Sequence, residues 1–132
     1  MWKLPALLPL CAGLALAHHS FSAEFDTTKP IKMTGVVTKV EWQNPHIWFY
    51  LDIKGGDGTV TNWGFSGGAP GQLMRRGITK KVIELGSTIT VEGFRSKDGS
   101  NNANGARVTF TDGRQVFTAG SEDRGPGDGK GK

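Results

Sequence analysis

Ile47-Trp48-Phe49-Tyr50-Leu51-Asp52-Ile53, running into Lys54-Gly55-Gly56-Asp57-Gly58, decides the fold class. Ile47, Phe49, Leu51 and Ile53 alternate with Trp48, Tyr50 and Asp52, the period of two expected of a strand with one buried face. The glycine-rich stretch reads as a hairpin loop into a second strand carrying Val60, Trp63 and Phe65. Upstream, Ile31 to Trp42 is also strand-like. There Val36, Val40 and Trp42 share one face with Thr34 and Thr38 between them, and Met33, Gly35 and Val37 take the other. Downstream, Ser87 to Arg95 alternates through Ile89 and Val91. Ala106, Val108 and Phe110 do the same before an Asp112-Gly113 turn and a last short strand, Gln115 to Thr118.

One helical stretch interrupts the strands. Pro70 suits a first helical turn, Gln72 to Arg76 forms the body, and Gly77 suits the position just past the end. Val82 to Leu85 reads as a further turn before Gly86. Three strands, a short helix between strands 3 and 4, and two or three more strands predict an all-β fold. Its form is a small five- to six-stranded Greek-key barrel of the OB type. A β-sandwich is the alternative, because element order does not fix closure. Ser96 to Gly105 reads as a polar loop, and residues 119–132, with five Gly and mixed charges, as a disordered tail.

The chain has 132 residues, 16 basic and 12 acidic, for a formal charge of +4. That length gives a single domain. One Cys excludes a disulfide-stapled scaffold, and the mild charge does not indicate nucleic acid as a partner. Residues 1–17 read as a cleaved signal peptide: Lys3, an apolar run from Leu4 to Leu16, and Ala15-Leu16-Ala17 as a small-x-small cleavage pattern. Leu10 before Cys11 argues against lipidation. The expectation is a periplasmic protein with no stable membrane insertion after cleavage. Its single barrel domain spans 18–118, and removal of Lys3 leaves a charge of +3.

Cleavage after Ala17 makes His18 the N-terminus. An N-terminal His offers its α-amine and Nδ1 to one metal ion, and a further imidazole completes a histidine brace. That nitrogen set suits Cu2+, which prefers tetragonal sites. His46, in Gln43-Asn44-Pro45-His46, is the natural further ligand, and His19 assists or substitutes. Cleavage after Ala15 instead places His18 third, an arrangement that binds Cu(II) or Ni(II) in a square plane. Zinc is disfavoured, since the mature chain lacks Cys and has no His pair at helical spacing. The structural alternative is that His18 and His19 are a polar chain start and His46 a half-buried residue bonded to backbone.

Other features rank lower. Glu41, Asn44 and Asp52 are candidates to orient or flank an imidazole. Trp48 and Tyr50 share the face opposite the apolar one and form a candidate stacking surface. Arg75 and Arg76, with Lys80 and Lys81, form a basic cluster that is a solvated face or a site for an anion or partner. Ser20 beside two His lacks an orienting acid, so no triad is expected.

The chain resembles domain-of-unknown-function family 6152. The resemblance rests on His18-His19-Ser20-Phe21, Glu24-Phe25-Asp26, Gly35 to Trp42, Asn44-Pro45-His46-Ile47-Trp48, Asn62-Trp63-Gly64-Phe65, Arg75-Arg76-Gly77, Val91-Glu92-Gly93, Arg95 to Ser100 and the Asp112-Gly113-Arg114 turn. It runs from His18 to about Phe117. It implies a short exported protein of a Gram-negative bacterium, with no activity to carry over, and places His18, His19 and His46 at motif positions. Two departures stand out: Phe65-Ser66 where the family pattern often has Phe-Glu, and Ile78 where it has an aromatic.

The function expected is non-enzymatic Cu2+ binding, as a carrier, buffer or delivery factor, with a metal ion and a periplasmic protein as partners. The alternative is a metal-free ligand- or protein-binding module using the aromatic and basic face. A copper oxidase or oxygenase is disfavoured because so small a mature chain leaves little surface to position a large substrate.

Overall fold

A computed structural model describes residues 21–120 and 125–126. The alternation of Phe49 and Leu51 with Trp48 and Tyr50 becomes β2 (Trp48–Lys54), with both apolar residues fully buried. It pairs antiparallel with β1 (Phe25–Glu41) on one side and β3 (Val60–Ser66) on the other. A short helix, α1 (Pro70–Arg75), leads to β4 (Thr88–Ser96), β5 (Asn102–Asn104), β6 (Arg107–Phe110) and β7 (Gln115–Phe117).

The sheet order is β1-β2-β3-β5-β4-β6-β7, and β1 also pairs with β4. That pairing closes five strands into a barrel, with β6 and β7 as extra strands alongside β4. The fold is therefore the all-β, OB-like barrel expected, closed rather than opened into a sandwich. β3 and β5 run parallel, which requires the crossover through α1 and β4. The barrel interior holds Val37, Phe49, Leu51, Trp63, Phe65, Ile89, Val91 and Val108.

Three sequence expectations are corrected. The first is the facing of β1. Its register against β2 shifts between Val37 and Lys39, so two residues of β1 are used where alternation allows one. The bulge at Thr38 lets Val37, 2% exposed, enter the core while Val40 and Trp42 still pack against it. Val36, grouped with Val40 and Trp42 by simple alternation, is instead 42% exposed.

Second, the polar loop Ser96 to Gly105 contains a strand. Asn102, Ala103 and Asn104 pair with Gly64, Phe65 and Ser66, and Ala103 also pairs with Arg95. Only Ala103 is apolar, so no hydrophobic alternation announces β5. Third, Val82 to Leu85, read as a further helical turn, holds no helix: Val82 and Ile83 bend and a turn follows at Leu85-Gly86.

The end of α1 follows its residues closely. Gly77 takes φ +79°, its N–H reaches the Met74 carbonyl, and the Ile78 N–H reaches that of Leu73. This is the Schellman pattern, completed by burial of both Leu73 and Ile78. With Ile83, these side chains join the core cluster and plug the barrel. Three antiparallel hairpins share one turn chemistry. Asp57-Gly58-Thr59, Asp98-Gly99-Ser100 and Asp112-Gly113-Arg114 each place Gly at positive φ. Each Asp carboxylate accepts the amide of the residue two positions on, at 2.8–3.0 Å.

Beyond β7, the Thr118 carbonyl accepts from Gly68 N and the Ala119 carbonyl from Arg76 Nη2. The predicted tail otherwise lies outside the described residues, apart from Gly120, Gly125 and Pro126. No described helix is long and apolar enough to cross a membrane.

Candidate functional site

Asn44-Pro45-His46 forms the connection between β1 and β2, and the Asn44–Pro45 peptide is cis. The connection is tied down at its exit. Ile47 is fully buried, its N–H bonds the Gly68 carbonyl at 3.0 Å, and its carbonyl accepts the Gly67 N–H at 2.9 Å. Next to this anchor, His46 Nδ1 lies 3.0 Å from the Gly67 carbonyl oxygen.

A carbonyl only accepts, so Nδ1 carries the hydrogen and donates it. In the neutral ring the lone pair then belongs to Nε2. His46 is exposed overall. An imidazole with one nitrogen fixed by backbone and the other without a partner among the described residues has the arrangement by which proteins orient a metal-binding histidine. The partner is a backbone carbonyl, as the structural alternative for His46 expected; that it is Gly67 was not identified from sequence, and Gly67-Gly68 directly after a strand was the available signal.

The carboxylates singled out beside His46 have other partners. Glu41 holds Lys39 at 2.7 Å and accepts from Tyr50 Oη at 3.5 Å. Asp52 accepts from Asn62 Nδ2 at 2.9 Å, and the same amide reaches Thr38 Oγ1. Burial, and next the Glu41 charge, push the Tyr50 phenol above its ordinary pKa, while its hydrogen bond with Glu41 holds the Lys39 ammonium above its own. Asn44 is exposed in the turn.

Trp48 and Tyr50 do share the outer face. Their ring planes differ by 23° with centroids 6.3 Å apart, so the rings are offset along the strand rather than face to face. Tyr50 pairs with Gly64, where the lack of a side chain leaves room for its ring.

One row across the outer wall links this region to the start of the described chain. Glu41 pairs with Trp48, Trp48 with Ser66, and Ser66 with Asn104. Asn104 Oδ1 in turn accepts the Phe94 N–H. Phe94 clusters with Phe25 and Phe21, the first described residue. Ser66, the departure from the family pattern, is therefore the Trp48 partner in this row and the residue before Gly67.

His18 and His19 lie outside the described residues. Among the described residues no group of three or more His, Cys, Asp or Glu stands close enough to hold a metal ion. Arg75, Arg76, Lys80 and Lys81 are exposed on and after α1, away from the Asn44 turn in sequence. An open cleft of about 440 Å³, lined by Val82, Glu84, Phe110, Asp112 and Arg114 among others, contains none of the candidate site residues.

Residues 7–106, 100 of the 132, match the family model described as "Family of unknown function (DUF6152)". No curated protein matches the chain.

Proposed function

The chain belongs to the DUF6152 family, which has no assigned activity, and on that premise we propose that it is a periplasmic, non-enzymatic Cu2+-binding protein. The observation that carries the reading is the His46 imidazole, with Nδ1–H held by the Gly67 carbonyl and Nε2 left as the ligand atom. His18, freed by signal cleavage, supplies its amine and ring, and His19 assists or substitutes. Copper held by such nitrogens suits carriage, buffering or delivery to a protein partner.

Competition titration against a Cu(II) chelator tests the reading. Exported wild-type protein is compared with His46→Ala and with His18→Ala. Loss of the Nε2 ligand, and loss of the His18 ring, are each expected to weaken Cu(II) binding by about tenfold or more. Wild-type affinity in both variants would refute the site.

The offset Trp48–Tyr50 pair favours a second reading, a metal-free binding surface on the outer wall. It predicts a change in Trp fluorescence with a neutral oligosaccharide such as cellohexaose that survives chelation and His46→Ala. No change on titration would remove it.

A further inference from the structure

The segment between β3 and β4 has two faces. Leu73, Ile78 and Ile83 turn inward and plug the barrel. Met74, Arg75, Arg76, Lys80, Lys81 and Leu85 are all exposed. Four cations thus fall within residues 75–81, and the first acid to follow is Glu84. Arg76 donates to the Ala119 carbonyl, a neutral group. Among the described residues, no carboxylate pairs with Arg75, Lys80 or Lys81 at ion-pair distance.

The same segment carries exposed apolar tips. Leu85, at 68%, and Met74, at 59%, are the two most exposed large hydrophobic residues described. Solvated cations alone fit any polyanion. Cations flanked by exposed aliphatic side chains fit an interface that is anionic at its surface and apolar just beneath, which is the chemistry of an anionic phospholipid bilayer.

We propose that the solvent face of the 70–86 plug docks the protein reversibly on anionic membrane surfaces. Lys80, Lys81 and Arg75 meet the headgroup phosphates, and Met74 and Leu85 enter the headgroup–acyl boundary. The buried face of the plug stays in the barrel, so docking needs no unfolding. This inference is independent of copper.

Vesicle co-sedimentation of the exported protein tests it, with phosphatidylcholine vesicles with and without phosphatidylglycerol. Binding is expected only with phosphatidylglycerol, and is expected to weaken with added salt. Lys80→Gln with Lys81→Gln should lower it about 25-fold, at about fivefold per cation removed. Met74→Ser with Leu85→Ser should lower it further while leaving its salt dependence in place. All four positions are exposed, so the variants should fold, and matched thermal melts check this. Failure to bind anionic vesicles, or binding unchanged in the lysine variant, would overturn the proposal. Binding unaffected by the Met74 and Leu85 changes, with equal retention on a polyphosphate-bearing resin, would assign the face to soluble polyanions instead.

Discussion

At the residue scale, two hydrogen bonds decide how the outer wall near His46 works. The Gly67 carbonyl fixes the His46 tautomer, and Asn104 Oδ1 accepts the Phe94 amide. Asn104 is 1% exposed, so Asn104→Ala leaves a buried N–H without its acceptor. The expected cost is about 1–3 kcal/mol in chemical denaturation, with an unchanged m-value. Asn104→Asp, which keeps an oxygen there but adds a buried charge, is expected to cost more. His46 was legible in the sequence as a candidate, because a histidine at a Pro-containing entry to a strand stands out. A backbone partner was legible too, as the structural alternative, but not which one: only Gly67-Gly68 after a strand hinted at a carbonyl 21 positions away.

At the element scale, strands with strong alternation were legible and those without it were not. β2 and β4 announced themselves through Phe49, Leu51, Ile89 and Val91. β5 did not, since Asn102 and Asn104 look like loop residues and are strand only because β3 and β4 supply partners on both sides. The bulge at Thr38 was equally hidden, as nothing local distinguishes Val36 from Val37. Gly93 shows how tightly β4 and β5 meet: a Cβ there would be driven into the Asn104 carbonyl. Gly93→Ala is therefore expected to destabilise by about 3 kcal/mol or more, read as a lowered denaturation midpoint. Leu73→Ala, which empties part of the plug, should cost about 2–5 kcal/mol.

The hairpin turns add a pH dependence. Asp57 and Asp112 are held below the ordinary carboxylate pKa chiefly by backbone amides, and Asp98 first by the Ser100 hydroxyl. Lowered folded values mean that their stabilisation is complete above the unfolded value of 3.8 and is lost as pH falls through the folded values. Thermal melts from pH 6 down to 2 should show this acid limb. It should be shallower in the triple variant Asp57→Asn, Asp98→Asn, Asp112→Asn; an identical limb would show that these turns do not contribute.

At the scale of the whole molecule, the barrel class followed from element order and closure followed from β1, whose 17 residues pair first with β4 and then with β2. Function was less legible, because the proposed ligands come from distant parts of the chain and one depends on the expected cleavage before His18. If the folded protein binds Cu(II) and the unfolded chain does not, metal at a hundredfold its Kd adds about 2.7 kcal/mol. For a domain of this size that raises Tm by roughly 10 °C. The rise should vanish in His46→Ala and on adding chelator.

The most direct measurement is made on protein exported to a bacterial periplasm and purified without an N-terminal tag. Its intact mass is taken first, followed by the EPR spectrum with one equivalent of Cu(II). The account predicts a mass beginning at His18 and a tetragonal, nitrogen-rich signal that loses one nitrogen ligand in His46→Ala. That mass with an aquo-like copper signal, or a nitrogen-rich signal indifferent to His46, would contradict it.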